Sequence, residues 1–238
     1  MIYFRPSQQR GHVNIGWLNS FHSFSFGHYR APEHMGWGLL RVINDDTVAA
    51  SAGFEAHGHR DMEIISYVLE GALRHQDSTG KTSVLKAGEI QRMTAGSGIV
   101  HSEFNQSPEA QVHFLQIWIH PNERGLEPGY QQRQVPQQGP LTAIVSPDAR
   151  GNSLKIHQDV VISRLQLQPG ESITLPVGSR AGYLHMIEGS AAVNVVDQPL
   201  GPGDAVGIMA ATGLTLSATA DTHLTALWFD LPAFHHPA

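Results

Sequence analysis

Between Gly53 and Asn105 the chain carries two residue pairs of one form, His57-Gly58-His59 and His101-Ser102-Glu103. On an extended strand, residues two apart point to the same face, so each pair aims both side chains at one spot. Two such strands facing one another inside a barrel supply three imidazoles and one carboxylate, enough to cage a divalent transition metal with positions left open. In a chain with 15 histidines a lone His-x-His pair would be unremarkable. The second pair adds weight, because Gly88 and the glycine-rich Ala95-Gly96-Ser97-Gly98 return the chain opposite the first.

The surrounding pattern is that of a β protein. Turn signals at Glu70-Gly71, Ser78-Thr79-Gly80, Lys86-Ala87-Gly88-Glu89 and Ala95-Gly96-Ser97-Gly98 separate short apolar runs, among them 64–69 and 111–119. Strands at this spacing predict a Greek-key barrel or sandwich. Glycine (24) and proline (14) are frequent and only 15% of residues are charged, which suits many tight turns. The segment 10–19 reads as polar loop, 37–44 as a strand and Asp45-Asp46 as its turn. Phe21, Phe24 and Phe26 form an aromatic group, either core or pocket mouth.

At 238 residues the chain holds one large or two small domains. Residues 121–140 turn polar, with Pro128, Gly129, Pro136, Gly139 and a glutamine cluster, and read as the connection between halves. The second half repeats the first in weakened form. His185-Met186-Ile187-Glu188-Gly189 echoes Tyr67-Val68-Leu69-Glu70-Gly71, and Leu200-Gly201-Pro202-Gly203-Asp204 echoes Leu85-Lys86-Ala87-Gly88-Glu89. Aligned on those glycines, Leu175 and Val177 replace His57 and His59, while Leu216 and Ala218 replace His101 and Glu103. Four apolar side chains hold no cation, so the second barrel is expected to be structural. A site built from His157, His185 and His223 has no spacing logic. The tail pair His235-His236 is expected in solvent.

Composition excludes several function classes. The net charge is -6, from 15 basic and 21 acidic residues, and no Lys/Arg stripe tracks phosphates, which argues against direct nucleic-acid binding. The absence of cysteine excludes disulfides and thiol catalysis. No segment approaches the roughly 20 apolar residues of a membrane span, and the opening residues lack a signal-peptide core, so a cytoplasmic location is expected.

The segments Phe54-Glu55-Ala56-His57-Gly58-His59-Arg60-Asp61-Met62-Glu63, Tyr67-Val68-Leu69-Glu70-Gly71 and Gly96-Ser97-Gly98-Ile99-Val100-His101-Ser102-Glu103-Phe104-Asn105 resemble the two cupin motifs as carried by the pirin family. Phe21-His22-Ser23-Phe24-Ser25-Phe26, Arg41-Val42-Ile43-Asn44-Asp45-Asp46 and Ser146-Pro147-Asp148-Ala149-Arg150 are similar to pirin segments too, so the likeness covers most of the chain. It is strongest to bacterial members described as quercetin 2,3-dioxygenases. The resemblance implies an all-β chain of two tandem cupin (double-stranded β-helix, jelly-roll) barrels: a metal-binding domain over 1–125, a linker over 126–140 and a degenerate cupin over 141–238. Departures from the general cupin pattern are Ser51 in place of glycine and Thr94 in place of proline. Glu63 stands one residue before the usual first-motif glutamate, whereas in pirins the carboxylate ligand is the second-motif glutamate, here Glu103. Glu63 then reads as a partner to a ligand imidazole or as a solvated charge.

The implied metal ligands are His57, His59, His101 and Glu103. The implied ion is a single Fe(II), with Mn, Ni, Co, Cu or Zn open, because ligand identity alone does not select among them. The implied reaction joins a flavonol and O2: Glu103 takes the 3-hydroxyl proton, dioxygen adds across the heterocycle as an endoperoxide, and collapse yields a depside and carbon monoxide. Phe24, Phe26, Ile64, Met93 and Phe104 are candidates for the pocket wall, though core packing explains each equally well. Two other readings stay open. One is a pirin-like binding module or transcriptional co-regulator for a protein partner. The other is phosphosugar isomerisation, which needs a cationic cluster where only Arg60 and Arg92 are near in sequence.

Overall fold

A computed structural model describes residues 1–234, so the His235-His236 pair lies outside the described residues. The described chain holds strands and three short 3-10 turns; none of its helices is long and apolar enough to cross a membrane. The strands of the first half are β1 (Ile2–Arg5), β2 (Gly11–Asn14), β3 (Leu18–His22), β4 (Leu40–Val48), β5 (Gly53–His59), β6 (Glu63–Glu70), β7 (Ala72–Asp77), β8 (Thr82–Lys86), β9 (Glu89–Thr94), β10 (Ile99–Asn105), β11 (Val112–Ile119) and β12 (Gly129–Gln134). Those of the second are β13 (Leu141–Ser146), β14 (Leu154–Lys155), β15 (Val161–Leu167), β16 (Ser172–Glu188), β17 (Ala191–Val193), β18 (Val196–Leu200), β19 (Ala205–Ala218) and β20 (Leu224–Leu231).

Two sheets make the first barrel. One runs β12-β9-β6-β11-β4-β3-β2 and the other β5-β10-β7-β8. A nine-stranded sheet makes the second barrel, in which the long strands β16 and β19 pair along most of their length. The two barrels share material at their edges. β1, from the amino terminus, pairs antiparallel with β19 of the second barrel, and β12 pairs with β9 of the first.

The middle strands of the seven-stranded sheet, β6 and β11, are buried on both faces, which is why they are mostly apolar, with Ser66 and Gln116 among the exceptions. Outward-facing Ile43, Ile65, Tyr67, Leu115 and Ile117 join Ile144, Ile162, Tyr183, Leu227 and Phe229 in one core cluster between the barrels. Each such side chain, taken from water, contributes about 1.5–3 kcal/mol. On the inner face, cross-strand register stacks three rungs: Val42, Trp118 and Ile64; then His22, Asn44, Gln116, Ser66 and Gln91; then Ser20, Asp46, Phe114 and Val68. The middle rung is wholly polar inside a barrel.

Three local expectations are corrected by these elements. Residues 10–19 are not loop: β2 and the start of β3 lie there. Asp45-Asp46 is not a turn but part of the nine-residue β4. Both carboxylates find tertiary partners that outweigh their turn preference, Asp45 with Arg10 and His113, Asp46 with the Ser20 hydroxyl. Within 121–140, read from composition as the connection between halves, β12 adds a strand to the sheet of the first barrel.

In the second barrel Leu175, Val177, Leu216 and Ala218 are all buried in one apolar core. His157, His185 and His223 form no metal-holding group among the described residues. His157 faces Glu63, His185 is fully buried and His223 is exposed.

Candidate metal centre

β5 and β10 pair antiparallel with His57 directly opposite His101 and His59 opposite Ile99. The register shifts between His101 and Glu103, a bulge that sets Glu103 against Phe54 on one side and His75 of β7 on the other. The three imidazoles converge, with ring centroids 4.8 Å apart for His57 and His59, 4.5 Å for His57 and His101, and 4.9 Å for His59 and His101. One ligand atom from each lies within 4.8 Å of the others.

The protonation states suit a cation. Burial, then the neighbouring His101 and His57, brings His59 down to about 4. Burial, followed by His57 and His75, brings His101 down to about 3. Both rings are therefore neutral at pH 7, the form that ligates metal. The Nδ1–H of His57 donates to the Glu55 carbonyl at 2.7 Å, which leaves Nε2 with a free lone pair. His101 Nε2 is buried and has no hydrogen-bond partner, a cost that an ion at this point would remove. The donor set and the orphaned nitrogen both fit a divalent transition metal.

Glu103 is anchored by the polar rung of the opposite sheet. Its Oε1 accepts from Ser66 Oγ (3.2 Å) and Gln91 Nε2 (3.0 Å), and its Oε2 from Gln116 Nε2 (2.7 Å). The rung is itself linked, Gln91 to Ser66 at 2.9 Å, Ser66 to Gln116 at 3.0 Å, and the Tyr130 hydroxyl to Gln91 Oε1 at 2.9 Å. Glu103 groups with His101 and His75, not with the full trio of His57, His59 and His101.

Beside the imidazoles lies an open-mouthed cavity. Leu18, Phe26, Phe54 and Trp118 give it apolar walls, and Trp118 meets His59 edge-on at 5.0 Å. Ser20, His22, Asn44 and Asp46 form a polar wall on adjacent strands. There His22 Nδ1 and Asn44 Oδ1 are 2.8 Å apart, and Ser20 donates to Asp46, whose carboxyl burial pushes up to about 7.

The first half matches the family model described as Pirin over residues 3–119, and the second matches Quercetinase C-terminal cupin domain over 143–231. The Escherichia coli (strain K12) protein named quercetin 2,3-dioxygenase is 44% identical over 233 residues, 98% of this chain and 99% of that protein. The crystal structure of YhhW from Escherichia coli superposes with a TM-score of 0.94 at 42% identity, covering all of both chains. The structure of the bacterial pirin YhhW in complex with nickel(II) gives 0.93 at 42% identity, over 98% of this chain and 100% of that one. The chain belongs to the pirin family.

For the wall candidates the sequence allowed core as well as cavity, and the structure separates the two. Of the five wall candidates, only Phe26 lines the cavity. Phe24 is core, packed between Tyr3 and Tyr183. Ile64 and Met93 are fully buried together with Ala95 and Ile99. Phe104 alternates with the inward His101, Glu103 and Asn105 and lies against Arg74. Glu63 is neither solvated nor beside a ligand imidazole: it faces the seam, fully buried, with His157 at 3.5 Å and Arg92 at 3.8 Å.

The sequence reading also missed His75 and Asp77. The pair is buried, with His75 Nε2 2.8 Å from Asp77 Oδ2, and His75 Nδ1 lies 3.5 Å from His101 Nδ1. Burial pushes Asp77 up, but bonds from His75 and Thr79 bring it below its ordinary value. The signal was present: His75-Gln76-Asp77 is a third pair of the form seen at 57–59 and 101–103.

Proposed function

We propose that this pirin is a metal-dependent dioxygenase that opens the heterocyclic ring of flavonols such as quercetin with O2, giving a depside and carbon monoxide. The observation that carries the reading is three imidazoles converging beside an aromatic-walled cavity. It is supported by the relative named quercetin 2,3-dioxygenase, similar along 98% of this chain.

His57, His59 and His101 would hold the ion, with Glu103 as fourth ligand. Fe(II) is the ion favoured by the pirin likeness; nickel(II), held by the Escherichia coli relative, suits the same donors, as do Mn, Co, Cu and Zn. When bound, such an ion supplies a Lewis acid with open positions, which stabilises an oxyanion and engages dioxygen. Glu103 accepts the 3-hydroxyl proton, and Gln116, Gln91 and Ser66 keep its carboxylate aimed. Phe26, Phe54 and Trp118 hold the aromatic rings and exclude water. The wall of Ser20, His22, Asn44 and Asp46 meets the hydroxyls the flavonol carries.

This assigns the chemistry to the domain over 1–125, joined through 126–140 to a structural domain over 141–238, and the whole to the cytoplasm. The test is reconstitution of metal-free protein, anaerobically, with each divalent ion, followed by quercetin and air. Flavonol loss with carbon monoxide release is expected for at least one ion. Activity that survives His101→Ala or Glu103→Ala rejects the assignment of the site.

A further inference from the structure

In a chain of net charge -6, arginines without acidic partners stand out. Arg10, Arg92, Arg150 and Arg180 form ion pairs; Arg30, Arg41 and Arg124 are among the eight arginines that form none among the described residues, and Arg30 and Arg41 are set apart by lying together. Arg30 and Arg41 line one cavity together with His120, against Phe26, Met62 and Trp118. Phe26 and Trp118 are also walls of the cavity beside the imidazoles, so the two spaces share a partition.

Arg30 and His120 are exposed and Arg41 half-buried, and none of the three pairs with a carboxylate among the described residues. Arg41 is brought below its ordinary value by burial and then by Arg30, and His120 by burial and then by Arg41 and Arg124. No carboxylate figures among the groups acting on either. Arg41 is steered by one bond, from Nη1 to the Ser25 carbonyl at 2.7 Å, while Arg30 makes none among the described residues. Guanidinium groups gathered at an apolar wall, without counter-charge, are the arrangement that takes a planar or tetrahedral oxyanion.

We propose that Arg30 and Arg41, with His120, form an anion subsite next to the aromatic cavity, taking a carboxylate, sulfate or sulfonate group. The anion arrives in one of two ways: as a substituent of an aromatic ligand seated against Phe26 and Trp118, or as a free inorganic ion. This goes beyond the flavonol reading and does not depend on it, since the subsite lies on the other side of the shared wall from the imidazoles.

The test uses metal-loaded protein and naphthalene probes, so no turnover is needed. Tryptophan fluorescence is titrated with 1-naphthol, with 1-naphthalenesulfonate and with inorganic sulfate, at low and at 0.5 M salt. The expected result is at least tenfold tighter binding of the sulfonate than of the naphthol at low salt. That advantage should shrink at high salt and vanish in Arg30→Gln and in Arg41→Gln. Both variants keep the three imidazoles, so anion binding at the metal would not change between them and the wild type. Sulfate that displaces the sulfonate but leaves bound naphthol in place identifies the free ion as a sufficient ligand; failure to displace it assigns the subsite to anionic substituents. Should Arg41→Gln not fold, Arg30→Gln decides, because Arg30 holds no bond that the fold needs. Equal affinity for the two probes in the wild type, or an advantage undiminished in Arg30→Gln, overturns the proposal. Loss of quercetin cleavage would leave it untouched.

Discussion

Gln116 Nε2 on β11 donates to Glu103 Oε2 on β10 at 2.7 Å, a bond that crosses the interior of the first barrel from one sheet to the other. It fixes where a buried carboxylate points without neutralising it. Replacing Gln116 by Leu removes that donor and one of the two acceptors open to the Ser66 hydroxyl, the other being Glu103 itself. The expected cost is about 1–3 kcal/mol of stability, the penalty for an under-satisfied buried group. Metal affinity should fall about 10–100-fold, as for other groups that orient a ligand. Thermal unfolding and a chelator competition measure the two effects, and unchanged metal affinity would show that Glu103 needs no such anchor.

Asp77, paired with His101 across β7 and β10, is not one of the proposed ligands, yet it should matter to the metal. It bonds His75 Nε2 at 2.8 Å, and His75 in turn sits 3.5 Å from His101. Asp77→Asn keeps the shape and removes the charge that orients His75. Metal affinity is expected to fall about tenfold or more while all four proposed ligands remain. Reduced affinity in Asp77→Asn with a normal metal stoichiometry separates this role from that of a ligand.

Much of the site was readable because strand geometry is local. His57-x-His59 and His101-x-Glu103 announce a shared face within three residues each, and Leu175, Val177, Leu216 and Ala218 announce the second barrel's loss by the same arithmetic. What holds Glu103 was not readable, because Ser66, Gln91 and Gln116 come from β6, β9 and β11 and meet only when the sheet sets their register. The same holds for Glu63: its burial depends on the second barrel covering the outer face of β6. Asp45 and Asp46 misled for a related reason, since adjacent aspartates read as a turn until Arg10, His113 and Ser20 arrive from other strands.

The Asp45 cluster makes stability depend on pH from both sides. Burial alone would push Asp45 up, but the His113 hydrogen bond and the Arg10 charge outweigh it and bring the carboxyl from 3.8 to about 2. The same hydrogen bond to Asp45 raises His113 above 6.5. A carboxylate with a depressed folded-state value stabilises fully above about 4 and loses this as pH falls toward 2; a histidine with a raised value stabilises below 6.5 and loses this as pH rises through its folded value. The pair is thus strongest between about pH 4 and 6.5, and the two shifts describe one interaction of roughly 2 kcal/mol. The melting-temperature gap between wild type and Asp45→Asn should peak in that window and narrow on both sides. A gap that stays flat from pH 3 to 9 would remove the cluster from the stability account.

Asp46 tests the polar wall of the cavity. It lies one rung from Asn44 and Gln116 on the inner face, and the Ser20 hydroxyl occupies one of its oxygens. Its other oxygen takes no hydrogen bond among the described residues, and neither does the Asn44 amide nitrogen. His22 and Ser20 stand two strands from Gln116, about 10 Å at ordinary strand spacing, so a flavonol whose 3-hydroxyl meets Glu103 would turn its second ring toward this wall. A ligand with hydroxyls on that ring should therefore gain from Asp46, and one without them should not. Asp46→Leu is expected to raise KM about tenfold or more for quercetin, with its two ring hydroxyls, and to change it less than threefold for galangin, which has none; one hydrogen bond to a charged or strongly polar group accounts for about that difference. Metal content serves as the control for an intact site. Equal losses for the two flavonols would move the hydroxyl-recognising wall away from Asp46 and leave Asn44 and His22 to supply it.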